Sequence, residues 1–244
     1  VPYLADSIES EGDDLTVWNM TLKPDITFHD GTPLNAEAVQ KHFLRLQDPV
    51  TACPCLDTVK IISSMELPDG PEGLSVVFTL ATPSVAFPDT LAGSSGYIES
   101  PAAVAEFGDE YKNHPVGTGP FTLTEYVPND RVVLEAYDGY WQTDENGIQL
   151  PYLDKLTVKP IPDSGQRVAA LEAGDIDIFQ TADSGTIKTA EDKGFAAQRI
   201  SGSSSTILMM NNAKPPFDDV RARQAVAYAI NKDVINERAY SGVR

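Results

Sequence analysis

The sequence predicts an α/β protein, because segments with strand periodicity alternate with segments of helix periodicity along the chain. It has 244 residues, of which 41% are hydrophobic and 22% are charged, as is typical of a globular protein with a substantial core. The length suggests one large domain or two small ones. No apolar run approaches the roughly 20 residues that a membrane-spanning helix requires.

The N-terminal part predicts a strand, a turn and a helix. The strand covers residues 16–22, and its apolar face consists of Trp18, Met20 and Leu22. Asp30-Gly31 marks a tight turn. A helix then begins after Asn35, a suitable N-cap, and its apolar stripe consists of Val39, Phe43 and Leu46.

A hairpin follows, with strands over residues 59–67 and 74–80 that alternate apolar and polar side chains. The segment 82–101 is rich in Ser, Gly and Pro and is expected to be irregular. Ser100 is then positioned to cap a short helix that begins at Pro101 and stops at Gly108.

The remaining sequence again interleaves strands and helices. Strands are predicted over residues 121–126, 131–137, 153–161, 176–179 and 206–210. Helices are predicted over 165–173, 186–193, the segment after Asp218 or Asp219, and 232–240, where Asn231 is the expected cap.

Charge excludes one class of partner. Acidic residues number 36 and basic residues 18, which gives a net charge of −18. A nucleic-acid binder needs clustered Lys and Arg to neutralise phosphates, so nucleic acid is not an expected partner. Adhesion to anionic lipid surfaces is disfavoured for the same reason.

Metal and redox chemistry also find little support in the sequence. His29, His42 and His114 are too far apart in sequence for two of them to share one helix face. Cys53 and Cys55 are separated by one residue, and a disulfide across so short a segment closes a strained ring. We therefore expect two loop thiols, no structural disulfide, no metal site and no cofactor.

Three groups of residues leave a functional and a structural interpretation open. Asp175 and Asp177 alternate like an acid–base pair, or they lie at a strand edge. The Ser- and Gly-rich segments 93–96 and 202–205 admit the close approach of a ligand, or they are solvated loops. The third group either forms a surface on which a ligand stacks or packs within the core and loops. It comprises Tyr137, Tyr140, Trp141 and Tyr152.

Five segments, taken in order, resemble the family 5 extracellular solute-binding proteins, the peptide- and nickel-binding subunits of ABC importers. They read TVWNMTLKPDITFHDGTPLNAEAV (16–39), VGTGPF (116–121), YDGYW (137–141), RVAALEAGDIDI (167–178) and PPFDDVRARQAVAYAI (215–230). In the third segment, Asp138-Gly139 replaces the usual start of the family pattern.

The resemblance implies a lobe of the periplasmic-binding-protein type II kind, with a mixed β-sheet, flanking helices and a small α+β subdomain. Residues 1–113 would hold the subdomain and the first part of the lobe, and residues 114–244 its main sheet up to the hinge. Family members are considerably longer, so the second lobe is expected to be absent from this chain. A homodimer through the surface exposed by truncation is a further expectation.

The resemblance also implies a function. Such proteins hold a small solute between two lobes and deliver it to a membrane permease, and a di- or oligopeptide is the expected solute. The location would be periplasmic or extracellular, with lipid anchoring to the cell membrane as a variant. The implied ligand-binding residues are Ser94, Ser95, Gly96, Tyr97 and, on the hinge side, Asn211, with no catalytic residues.

Other roles follow from the same alignment of motifs. His29-Asp30-Gly31 is expected to be a fold-defining turn, and Asp218, Asp219 and Arg221 to form a helix start. Two alternative functions remain: a ligand-sensing lobe of a transcriptional regulator, and an enzyme that uses Asp175, Asp177 or the Ser-rich loops at 93–96 and 202–205.

Overall fold

The computed structural model describes residues 3–200 and 207–240. The chain divides into two compact units, Val1–Lys159 and Pro160–Arg244. Each unit is described by itself. The subdomain boundary expected near residue 113 stays a prediction.

The first unit contains a four-stranded sheet in the order β1-β2-β4-β3. The strands are β1 (Ala5–Ser10), β2 (Val17–Leu22), β3 (Ile62–Glu66) and β4 (Ser75–Leu80). The predicted face of β2 is confirmed, since Trp18, Met20 and Leu22 are all buried. In the antiparallel β2–β4 ladder, Trp18 lies opposite Phe78 and Met20 opposite Val76.

Helix α1 (Ala36–Gln47) covers this sheet. The Asn35 side chain accepts a hydrogen bond from the Ala38 amide at 2.9 Å, so the predicted N-cap is confirmed. Phe43 of α1 contacts Phe78 edge to face, with ring centroids 5.5 Å apart, and Phe87 contacts Phe78 at 5.3 Å. These three rings are almost wholly buried and form the centre of the core.

Three short helices complete this part of the first unit: α2 (Leu56–Val59), α3 (Phe87–Leu91) and α4 (Pro101–Phe107). The predictions of a strand at Val59 and of irregular structure over residues 87–91 were both wrong. Phe87 is buried against the core, and this tertiary contact holds a helix whose local sequence is rich in turn formers. The predicted start of α4 is confirmed, because Ser100 Oγ accepts from the Ala103 amide at 3.2 Å.

A three-stranded sheet closes the first unit, in the order β5-β6-β7. It consists of β5 (Phe121–Val127), β6 (Arg131–Ala136) and the short β7 (Lys155–Val158). The β5–β6 turn is tight because Asn129 adopts a left-handed conformation, with φ of 62°. The strand pairings described in the chain are antiparallel, so they do not include the parallel neighbours expected of a mixed sheet.

The regular elements among the described residues of the second unit are helices: α5 (Ser164–Ala173), α6 (Ser184–Asp192), α7 (Val220–Ala229) and α8 (Lys232–Tyr240). The N-cap side chains of α5, α6 and α7 accept a backbone hydrogen bond, and they are Asp163, Asp183 and Asp219. Helix α5 ends at Gly174, whose φ of 75° favours glycine. The predicted cap of α7 at Asp219 and the predicted stop of α5 at Gly174 are therefore confirmed.

Two predicted strands are not formed in this unit. Residues 176–179 and 207–210 are irregular, while Thr206 lies outside the described residues. Ile178 is 87% exposed and Met209 is 84% exposed, so the apolar alternation there does not mark a face packed on a core. A strand forms only where a neighbouring strand satisfies its backbone, and this requirement is invisible in a local pattern.

The prediction for the cysteines was also wrong, since Cys53 and Cys55 form a disulfide. The two Cα atoms are 5.1 Å apart across Pro54. That separation lies within the range that a disulfide accepts. A spacing of one residue therefore does not exclude a disulfide.

Candidate functional site

The candidate ligand-binding segment Ser94–Tyr97 lies between α3 and α4 in the first unit. Ser94–Gly96 form one turn of 3-10 helix. Ser94 is exposed and Tyr97 is 77% exposed, whereas Ser95 is buried. Of the predicted side chains, Ser94 and Tyr97 are therefore the ones that a ligand could reach directly.

Ser95 and Gly96 determine the backbone conformation of the segment. The Ser95 hydroxyl donates to the Thr90 carbonyl at 2.8 Å, which ties the segment to the end of α3. A Cβ on Gly96 would lie 1.8 Å from the Leu91 carbonyl oxygen, so only glycine fits there without backbone movement. The bond to Thr90 and the limited space at Gly96 restrict the conformations open to the segment.

Helix α1 supports the segment from behind. His42 Nε2 lies 2.9 Å from the Ser95 carbonyl oxygen. Arg45 donates to Glu99 at 2.8 Å, and its guanidinium lies 5.5 Å from the Tyr111 ring centroid. Two side chains of one helix therefore contact both ends of the stretch from Ser95 to Glu99.

The predicted turn at His29-Asp30-Gly31 has the structural role that the sequence suggested. The Asp30 carboxylate accepts hydrogen bonds from the hydroxyls of Thr32 and Ser100 and from the Thr32 amide. Burial raises the pKa of Asp30, but these hydrogen bonds outweigh it and hold the pKa below its usual value. Ser100 caps α4, so one carboxylate joins this turn to the helix that follows the candidate segment.

The VGTGPF loop is attached to the same turn. His29 donates its backbone amide to the Gly117 carbonyl at 2.9 Å, and its Nε2 lies 2.9 Å from the Gly119 carbonyl. The Ser100 amide donates to the Val116 carbonyl at 3.0 Å. Three motifs that are remote in sequence therefore form one scaffold beside the candidate segment.

The aromatic residues singled out in the sequence form contacts of their own in the first unit. Trp141 meets Tyr3 edge to face at 5.2 Å, and Lys23 Nζ lies 4.9 Å from the Trp141 centroid. The Tyr140 hydroxyl bonds Tyr3 and Gln142, and burial together with the Tyr3 bond raises its pKa. Tyr137 instead packs on His29 at 4.9 Å, and exposed Tyr152 donates to Asp144.

Asn211 belongs to the second unit. It is exposed, and its side-chain oxygen accepts from the Ala213 amide at 3.1 Å. Its carbonyl accepts from the Lys214 amide at 3.4 Å. This local turn leaves the Asn211 amide NH₂ group at the surface of its unit.

The remaining candidates offer no assembled catalytic or metal centre. Asp175 and Asp177 are exposed, in the irregular stretch after α5, so they do not share a strand face as predicted. Ser203–Ser205 lie outside the described residues. Elsewhere in the described chain, His, Cys, Asp and Glu side chains do not gather in groups of three or more that could hold a metal ion. None of the helices within 3–200 and 207–240 is both long and apolar enough to span a bilayer.

The cavities within the described residues include one open cavity in each unit. The first, of about 530 Å³, lies between α4 and β5 and includes Phe107 and His114. The second, of about 550 Å³, lies between α5 and α6. Neither is lined by Ser94–Tyr97 or Asn211. The predicted ligand contacts therefore stay a prediction.

Comparison with known families identifies the chain. The model for the bacterial extracellular solute-binding proteins, family 5, middle, matches residues 1–244. The chain belongs to this family. The resemblance drawn from the five sequence segments is thereby confirmed.

A curated relative is the glutathione-binding protein GsiB of Pectobacterium atrosepticum. It is 35% identical over 243 residues, which are 99% of the family 5 chain described here and 46% of GsiB. This chain therefore spans about half the length of the curated relatives it matches.

Solved structures of full-length relatives share the fold. The binding protein AgaA of A. tumefaciens R10, in complex with agropinic acid, matches with a TM-score of 0.78 and 28% identity, over 99% of this chain and 47% of AgaA. NikA of Brucella suis, in complex with Fe(III)-EDTA, matches with a TM-score of 0.76 and 26% identity, over 99% and 48%. The predicted fold class, an α/β lobe of a periplasmic binding protein, is confirmed.

Proposed function

We propose that this family 5 protein captures a short peptide, with glutathione as the first candidate, and delivers it to the permease of an ABC importer. The observation that carries the proposal is the 35% identity to a glutathione-binding protein over 99% of the chain. Its place of action would be the periplasm or the cell exterior, with lipid anchoring as an open variant. Binding and release suffice for this role, so no catalytic residue is assigned.

The proposed ligand contacts are Ser94, Ser95, Gly96 and Tyr97, together with Asn211. Ser94 offers an exposed hydroxyl that both donates and accepts, as peptide amides and carboxylates require. Tyr97 offers an exposed ring and a phenol, which suit an aliphatic backbone and a polar end group. Ser95 and Gly96 would act through the backbone, because the Ser95 side chain is buried and bonded to Thr90.

The first experiment is native mass spectrometry of the longest natural form of the protein, as purified without added ligand, followed by calorimetry with reduced glutathione. A co-purified adduct of peptide mass, or saturable binding of glutathione, is the expected result. Fe(III)-EDTA and agropinic acid serve as comparison ligands, because relatives bind them. Binding of either one in preference to glutathione and to di- and tripeptides would overturn the peptide assignment.

A matched pair of substitutions tests the segment itself. Tyr97→Ala removes an exposed aromatic side chain from the proposed contact surface, and Tyr228→Ala removes one from α7 that is exposed to 90% against 77% for Tyr97. We expect Tyr97→Ala to weaken glutathione binding roughly tenfold and Tyr228→Ala to leave it unchanged. Equal effects of the two substitutions would remove Tyr97 from the site.

A further inference from the structure

A buried histidine lies directly behind the proposed binding segment. His42 of α1 is 3% exposed, and its Nε2 lies 2.9 Å from the Ser95 carbonyl oxygen. A carbonyl oxygen only accepts hydrogen bonds, so Nε2 carries the proton and donates. This bond joins two residues that are 53 positions apart in the sequence.

The other ring nitrogen faces the far end of the same stretch. His42 Nδ1 lies 3.5 Å from Glu99 Oε1 but makes no hydrogen bond within the described residues. Glu99 is held by Arg45, which lies one helical turn beyond His42 on α1. The imidazole also packs edge to face on Phe43, with centroids 5.1 Å apart. The contacts with Ser95, Glu99 and Phe43 therefore fix the orientation of the His42 ring.

The other hydrogen bonds of the segment connect residues that are close together in the sequence. Ser95 Oγ bonds Thr90, the Gly96 amide bonds the Gly93 carbonyl, and the Ile98 amide bonds the Gly96 carbonyl. These bonds shape the turn and tie it to α3, whose Phe87 is part of the core. The His42 bond adds a second connection, to α1, which packs against the four-stranded sheet.

We propose that His42 is a positioning residue for ligand binding: its Nε2–H bond to the Ser95 carbonyl fixes the segment so that Ser94 and Tyr97 keep one orientation. The proposal rests on the proposed function only in assigning a ligand to this segment. A preformed segment binds more tightly, because less conformational entropy is lost when the ligand arrives.

The test uses two substitutions in the full chain. His42→Phe keeps a ring of similar volume but removes the donor, and His42→Gln keeps a donor at the end of a flexible chain. Amide hydrogen exchange is measured at Gly96 and Ile98, whose amides donate to the carbonyls of Gly93 and Gly96. We expect exchange at both amides to rise roughly tenfold in His42→Phe and to return toward the wild-type rate in His42→Gln.

Gln47→Leu is the matched control. Gln47 lies on the same helix and donates to the carbonyls of Val59 and Ile62 at 3.0 and 2.7 Å, away from the segment. It should leave exchange at Gly96 and Ile98 unchanged. Amides of the β2–β4 ladder report global stability, and exchange that rises there as much as in the segment would overturn the positioning role.

Glutathione affinity separates the two proposals. Weaker binding by His42→Phe, recovered in His42→Gln at equal global stability, supports a positioning role in ligand capture. Unchanged exchange and unchanged affinity in His42→Phe overturn it. If wild-type protein binds neither glutathione nor other short peptides while exchange in the segment still depends on His42, the proposed function fails and the structural tie stands.

Discussion

Asp30 shows how much a single side chain organises in this protein. Its carboxylate accepts hydrogen bonds from the hydroxyls of Thr32 and Ser100, and Ser100 in turn caps α4. The turn motif, the helix start and the loop before it therefore depend on one acceptor. Because the hydrogen bonds lower the Asp30 pKa, the carboxylate form is the one that the folded state favours.

We expect Asp30→Ala to lower the free energy of unfolding by about 1 kcal/mol near neutral pH, through loss of these partly exposed hydrogen bonds. A lowered pKa in the folded state stabilises the protein above the unfolded-state pKa, and this contribution disappears as pH falls through the folded-state pKa. The difference between wild type and Asp30→Ala should therefore shrink below about pH 4 in urea titrations.

A double-mutant cycle controls this experiment. Ser100→Ala removes the cap and the bond to Asp30 together, so the two substitutions should be less than additive when combined. A stability difference that stays constant from neutral pH into acid would contradict the role given to the Asp30 carboxylate.

Gly96 provides the second prediction for a single residue. We expect Gly96→Ala to destabilise the chain by about 1–3 kcal/mol and to weaken ligand binding, because the added methyl group meets the Leu91 carbonyl. Gly119→Ala is the control, since a Cβ there meets nothing within 4 Å. Equal loss of stability in both variants, measured by urea unfolding, would count against the steric argument.

Among the elements, α1 has two tasks. One face buries Val39, Phe43 and Leu46 in the core, and residues His42 and Arg45 reach the stretch from Ser95 to Glu99. Helix α1 is fixed on the sheet by the contact between Phe43 of α1 and Phe78 of β4. The candidate segment is thus connected to the sheet through one helix.

We expect Phe78→Ala to cost about 3–5 kcal/mol of unfolding free energy, because it leaves a cavity beneath α1 and α3. Phe78→Leu should cost markedly less, since it fills most of the volume. Both are measured by urea denaturation with the slope compared between variants. Similar costs for Ala and Leu would show that ring packing, rather than volume, dominates.

For the chain as a whole, surface composition sets solution behaviour. Large apolar side chains are exposed in the second unit, among them Ile178, Met209 and Tyr228. The net charge of −18 opposes contact between copies. Apolar association and charge repulsion therefore act against each other, and salt weakens only the repulsion.

We expect the 244-residue chain to self-associate increasingly as the NaCl concentration rises from about 20 to about 500 mM, where the screening length becomes short. Sedimentation velocity measures this directly. Met209→Ser combined with Tyr228→Ser should reduce the association. A single monomeric species at high protein concentration in both salts would contradict the prediction.

Local sequence by itself determined the elements whose signals are local. The caps Asn35, Ser100 and Asp219, the stop at Gly174 and the apolar face of β2 follow from hydrogen-bonding groups and periodicity within a few residues. The five family segments likewise predicted the family, because their order along the chain is itself information. Tertiary structure decided the rest.

Residues 87–91 form a helix because the Phe87 ring is buried in the core. Residues 176–179 form no strand because no described strand pairs with them. The Cys53–Cys55 bridge depends on the backbone conformation between the two cysteines, which leaves their Cα atoms 5.1 Å apart. The tie from His42 to Ser95 spans 53 residues, and no local pattern contains it. Burial and long-range hydrogen bonding depend on which segments meet in space, and the sequence specifies that only through the whole fold.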